Sequence, residues 1–393
     1  MKIERLEMLL LKGKSGLPQG TFDPMVLRLW TDEGLVGNGE LSMAIGNSRW
    51  EAIGALRDLA DIVRGKDFRN ITLLWNEMAK KNLWALGGGC PLYAAISAID
   101  MALWDLKAKW LEVPLHQLLG GKMRDTLPCY ASQIQFGWEK GITKAVTAGE
   151  LAKQAAAAIE NGYRWIKADP LGYSKDGIWK GWDLTGLLSP VLLQEVVERV
   201  SGLRSAVGPD TGLIIENHCF TDATAATEII QVLEPYAIDL FEEVTAPGNP
   251  DVWKMIRSRT HSCLSTGEKL VGRWNFRPYI AERLVDVIQP DVGICGGITE
   301  LIAICSMADL YEIQVSLHTC HGPISTAASL QVEAALPNFQ FHEVHRVALL
   351  QENIALGEVP LCPVNGMYHL PEGHGIGQEL SKWALSHCER MVL

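Results

Sequence analysis

Polar and apolar positions alternate from Lys2 to Leu11 and again from Met25 to Trp30, the period of a half-buried strand. Thr31-Asp32-Glu33-Gly34 is a turn signal ahead of Leu35-Val36-Gly37-Asn38-Gly39-Glu40, so the chain is expected to open with a hairpin or small antiparallel sheet. From about Arg49 to Leu119 the apolar period becomes helical, as in Ala94-Ala95-Ile96, Ile99, Met101-Ala102-Leu103 and Leu106. Gly120-Gly121 ends that run and marks a boundary. Beyond it the period keeps switching. Residues 152–159 and 192–200 read as helices, and 163–167 and 212–216 as strands. This alternation predicts an α/β domain with a parallel sheet and crossover helices. Residues 170–187, glycine-rich and holding Trp179 and Trp182, interrupt the alternation as a long loop of the kind that covers sites. The turn-rich stretch 356–393 is expected to pack back on the first domain. The expected division is therefore 1–123, 124–355 and 356–393.

One spacing carries the chemistry. Glu216, Glu242, Glu268, Asp291, His318 and Glu343 each follow an apolar segment, at intervals of 26, 26, 23, 27 and 25 residues. About that many residues make one strand, loop, helix and loop of an eight-stranded (β/α) barrel, where groups at strand C-terminal ends meet around one mouth. Any one of these residues alone reads as a loop acid or a helix cap. Their recurrence at one period is what singles them out. Three carboxylates converging on a point repel unless a cation neutralises them, and an all-oxygen set suits Mg²⁺.

Composition narrows the class. The 46 acidic residues outnumber the 35 Lys and Arg, leaving a net charge of −11, without the basic stripe that nucleic acid or an anionic membrane surface requires. No apolar run approaches the roughly 18 residues of a membrane helix, and the first residues lack a secretory pattern. The nine cysteines are scattered without a C-x-x-C pair, which fits a reducing, cytoplasmic setting. Gly87-Gly88-Gly89 lacks the flanking residues of a phosphate loop.

Specific motifs then point to a family. Ala98-Ile99-Asp100-Met101-Ala102-Leu103-Trp104-Asp105-Leu106-Lys107, followed by Pro114-Leu115-His116-Gln117-Leu118-Leu119-Gly120-Gly121, resembles the capping-domain helix and its link to the barrel in the enolase superfamily, mandelate racemase branch. Glu242-Glu243, Gly267-Glu268 and Gln289-Pro290-Asp291 with Gly296-Gly297-Ile298-Thr299 resemble that family's later strands. Almost the whole chain is covered. The resemblance implies a modified, enolase-like TIM-type (β/α) barrel with an N-terminal α+β capping domain. It implies Mg²⁺ on Glu216, Glu242 and Glu268, and a His318–Asp291 dyad acting as base. Glu216-Asn217-His218 resembles the motif of galactonate and mannonate dehydratases whose histidine delivers a proton to the leaving hydroxyl, and His218, two residues past Glu216, is expected to share its strand face. Glu343 resembles an eighth-strand acid near the substrate carboxylate, and Lys167 and Asp169 close the second strand as substrate-binding candidates.

Two departures bear on function. Glu216 stands where Asp is common, and Asp169 stands where racemases of this branch carry a second lysine. The latter favours a dehydratase of a sugar acid, with a racemase or epimerase as the alternative and a catalytically silent binding barrel as a second one. A homo-oligomer is expected. His321, His342 and His345 match no motif and are expected in structural or loop roles, while Lys269, Arg273 and Arg277 are candidates for contacting an anionic substrate.

Overall fold

A computed structural model of the chain describes residues 1–393 except 19, 47, 140 and 180–183, so Trp182 lies outside the described residues. The first strands are β1 (Ile3–Leu10), β2 (Met25–Thr31) and β3 (Val36–Leu41), paired antiparallel in the order of the chain. Helices α1 (Arg49–Val63), α2 (Ile71–Ala79) and α3 (Cys90–Trp110) cover them, and the short α4 (Leu115–Leu118) leads out. Helix α3 is buried on nearly every side, between the sheet and the barrel.

The barrel strands are β4 (Thr126–Ser132), β5 (Trp165–Ala168), β6 (Gly212–Glu216), β7 (Leu240–Glu242), β8 (Leu264–Thr266), β9 (Val287–Ile288), β10 (Gln314–Val315) and β11 (His342–His345). They alternate with α5 (Ala148–Glu160), α6 (Pro190–Val207), α7 (Ala223–Leu233), α8 (Pro250–Arg257), α9 (Gly272–Ala281), α10 (Gly297–Leu310) and α11 (Pro323–Ala335). Neighbouring strands pair parallel, β11 returns beside β4, and a parallel bridge between Val315 and Phe339 links β10 to the approach of β11. Strands such as Gly-Leu-Ile-Ile-Glu are buried along their whole length, as expected where both faces are covered.

Two helices start earlier than the apolar period indicates. Thr147 and Glu150 form a capping box that begins α5 at Ala148. Ser189, followed by Pro190, caps α6.

After α12 (Gln351–Ile354), β12 (Met367–His369) pairs with β4 outside the barrel. Then α13 (Lys382–His387) leads to β13 (Glu389–Val392), which pairs antiparallel with β1. The edge of the first sheet is therefore built from residues almost four hundred positions apart.

The cap is docked by hydrogen bonds as well as by packing. Asp100 of α3 accepts from the backbone N–H and the hydroxyl of Thr299, at 2.9 and 2.6 Å, at the start of α10. Trp104 Nε1 donates to the same hydroxyl, and Trp75 Nε1 donates to the Gly296 carbonyl. Gly297 has φ +82°, and a Cβ there would lie 2.5 Å from the Asp100 carboxylate. Only glycine allows this approach. Among the described residues no helix is long and apolar enough to cross a membrane.

Candidate active site

A cavity of about 380 Å³ lies between the cap and the C-terminal ends of the barrel strands. The cap contributes Leu17, Cys90 and the stretch Ser42-Met43-Ala44-Ile45, and the barrel contributes the polar floor.

Carboxylate oxygens of Glu216, Glu242 and Glu268, at the ends of three consecutive strands, lie within 4.8 Å of one another. Burial raises Glu216, and pushes Glu242 up to about 8. For Glu268 burial is outweighed by Lys269 and His318, and its carboxyl is held well below the usual range. Lys167 stands at the centre of the floor, fully buried. Its ammonium is 3.0 Å from Glu216 Oε2 and 2.7 Å from Glu343 Oε1, and it also donates to Glu242. Those acids overcome the burial penalty and raise it further. Glu343 also accepts from Ser132 Oγ and from the Thr319 N–H. Lys167 is shared by Glu216, Glu242 and Glu343, while Glu268 is paired with Lys269. With oxygen donors only, Glu216, Glu242 and Glu268 fit a hard divalent cation.

Two histidines face this floor, each held by an aspartate. His318, just past β10, has Nδ1 2.7 Å from Asp291 Oδ2 and Nε2 3.6 Å from Glu268 Oε2. Burial would lower its pKa, but Glu268 and Asp291 push it up to about 10. His218, past β6, has Nδ1 2.8 Å from Asp169 Oδ2 and Nε2 3.3 Å from Glu216 Oε1. Burial is again outweighed, here by Glu216 and Asp169, and its pKa rises to about 9. The third and seventh of eight barrel strands lie diametrically opposed, so the two rings approach from opposite sides.

The expected reason for His218 needs correction. Strand β6 ends at Glu216, and His218 sits beyond it with φ +48°. A left-handed turn brings the ring back to Glu216, not the alternation of a strand. Gln133, Cys219 and Glu243 are also left-handed at strand ends around this mouth, the clustering of strained backbone typical of functional sites.

Asp169 is likewise placed differently from the substrate-binding role expected of it. Its side chain is fully buried behind His218 and does not line the cavity. Lys167 and Glu343 do line it. Glu343 is inside β11, not after it, because pairing of Gln340 with Val315 closes the barrel before the strand begins. Two-residue alternation along β11 then separates the unassigned histidines. His345 shares the inward face with Glu343 and lines the cavity, where burial pushes it down to about 3. His342 points outward to Glu333 of α11 at 2.7 Å. His321 lines the cavity and shares Asp291 with His318.

Of the cationic candidates only Lys269 reaches the cavity, held by Glu243 and Glu268. Arg273 forks onto Glu300, and Arg277 is exposed. Trp179 of the long loop packs edge-on against His218, whose ring stacks on Phe220.

Gln133 and Gln135 were not singled out from the sequence. Gln133 Nε2 lies 3.1 Å from His218 Nε2 and donates to Glu216, and Gln135 donates to Gln133.

Comparison with known proteins agrees with this architecture. Residues 150–384 match the enolase C-terminal domain-like family, and residues 20–120 match the mandelate racemase / muconate lactonizing enzyme N-terminal domain. The chain belongs to the enolase superfamily, in its mandelate racemase / muconate lactonizing enzyme group. It is 31% identical to a D-gluconate dehydratase of Thermoproteus tenax over 92% of this chain and 69% of that one. It is 32% identical to a D-galactonate dehydratase of Ralstonia pickettii over 79% and 75%. A solved enolase superfamily member from Salmonella Typhimurium superposes with a TM-score of 0.95 at 39% identity, covering 100% of this chain and 99% of that one.

Proposed function

We propose that the chain is a Mg²⁺-dependent dehydratase of a sugar acid, an aldonate, and converts it to a 2-keto-3-deoxy acid. The carrying observation is the pair of aspartate-held imidazoles on opposed strands across one carboxylate-floored cavity. The names of the gluconate, galactonate and xylonate dehydratases that the chain resembles support the substrate class.

Mg²⁺ held by Glu216, Glu242 and Glu268 would polarise the substrate carboxylate as a Lewis acid and offset the pull of Glu268 on His318. His318 Nε2, its other nitrogen anchored on Asp291, removes the proton α to that carboxylate. The Lys167 ammonium faces the negative charge that develops there. His218 then gives its Nε2 proton to the 3-hydroxyl as the C–O bond breaks, and water leaves. The enol so formed tautomerises to the keto acid, taking a proton at C3. Leu17 and Ser42–Ile45 of the cap line the cavity, and together with the loop whose Trp179 packs on His218 they select among stereoisomers.

The free state of all nine cysteines supports a reducing, cytoplasmic setting. We expect a homo-oligomer, and light scattering that returned a 43.3 kDa particle would contradict that. The function is tested by incubating a panel of sugar acids with enzyme and Mg²⁺ and trapping keto acid with semicarbazide. Exchange of the α-proton without keto acid for any substrate would replace dehydration with racemisation or epimerisation.

A further inference from the structure

Asp169 divides its carboxylate between two tasks. Oδ1 accepts the backbone N–H groups of Leu171 and Gly172, at 2.7 and 2.9 Å, where the long loop leaves β5. Oδ2 faces His218 Nδ1 at 2.8 Å. The backbone N–H of Asp169 starts a second route to the same ring. It donates to Gln135 Oε1 at 3.1 Å, so Gln135 must present its amide nitrogen to Gln133 Oε1, and Gln133 turns its own nitrogen to Glu216, whose other oxygen faces His218 Nε2 at 3.3 Å. Both ring nitrogens of His218 are therefore referred to one residue. Asp169 has no exposed surface and cannot itself reach a substrate.

Resting on the dehydratase reading, we propose that Asp169 is a positioning residue that accepts the Nδ1–H of His218 and so aims the ring's Nε2–H at the leaving hydroxyl. The molecule then carries two His–Asp dyads, Asp291 serving the base and Asp169 the acid. The same residue anchors the start of the loop whose Trp179 packs on His218, so loop placement and ring orientation are set together. Gly172 shows how closely they are joined. A Cβ there would lie 2.2 Å from the Trp179 ring and 2.8 Å from Asp169 Oδ2.

Asp169→Asn separates the two tasks. The Leu171 and Gly172 N–H groups still require an acceptor, so the amide oxygen stays with them and the amide nitrogen turns to His218 Nδ1. A donor there cannot accept the Nδ1–H, so Nδ1 becomes the acceptor and the ring loses the carboxylate that holds it as the acid.

The test has two arms. In ¹⁵N-histidine NMR, His218 Nδ1 is protonated in the wild type and unprotonated in Asp169→Asn. In kinetics, Asp169→Asn loses dehydration by on the order of 10²–10⁴-fold, while α-proton exchange with D₂O, which depends on His318, stays within about twofold in the same sample. That retained exchange also certifies the fold. The double variant with His218→Asn is no slower than His218→Asn alone. Unprotonated Nδ1 in the wild type overturns the proposal, as does undiminished dehydration in Asp169→Asn or a parallel fall of exchange and dehydration. The NMR arm needs no substrate, so it decides the role of Asp169 even if no sugar acid is turned over.

Discussion

Glu40, at the end of cap strand β3, accepts the backbone N–H of Ser325 at 2.9 Å, in the first turn of barrel helix α11. The same carboxylate takes the N–H groups of Gly322 and Ile324, so one domain caps a helix of the other. Glu40 is fully buried. Replacing it with alanine leaves three donors without a partner, and the expected cost is about 1–3 kcal/mol. Urea denaturation checks it, and an unchanged midpoint would remove Glu40 from the interface.

Glu242 is the middle member of the carboxylate set and accepts from Gln289 Nε2 at 2.7 Å. Glu242→Gln should weaken Mg²⁺ binding by at least about 100-fold and abolish turnover, read by calorimetry and by keto-acid formation. Chelation of the wild type should stop turnover, and added Mg²⁺ should restore it. Full activity after thorough chelation would defeat the metal assignment.

The two histidines should divide the reaction. His318→Asn should stop both dehydration and α-proton exchange, because the base is gone. His218→Asn should block dehydration yet leave slow exchange, because base and floor remain. Exchange surviving in His318→Asn but lost in His218→Asn would reverse the roles.

Asp100 should make stability fall with pH. Burial raises its pKa from 3.8 to about 7 against the opposing hydrogen bonds of Thr299. The folded value lies above the unfolded one, so the native state holds the proton more tightly between about pH 4 and 7, and stability drops as pH rises through that window. Asp100→Asn cannot titrate. The wild type should therefore be more stable, relative to this variant, at pH 5 than at pH 8. Equal gaps at the two pH values would refute the assignment.

The later half of the barrel was legible because α7 to α11 are short and similar, so successive strand ends recur about every 25 residues. The period fails earlier in the chain. The inserted loop puts 49 residues between Asp169 and His218, and nothing in that interval announces that they touch. Gln133 escaped for a related reason, since its neutral amide carries no charge signal and precedes the regular stretch. Glu40 was hidden because its contacts run to a helix start in another domain, where no local period operates. His218 was identified for a sound chemical reason and an unsound geometric one, because a left-handed turn cannot be read from side-chain alternation.

The pairing of β13 with β1 has a bearing on synthesis. As the polypeptide leaves the ribosome, all eight barrel strands emerge while β1 still lacks its neighbour, and its edge stays open to any passing strand until residues 389–392 appear. A truncation of a dozen residues at that end, far from every catalytic group, would thus be felt first as misassembly of newly made chains.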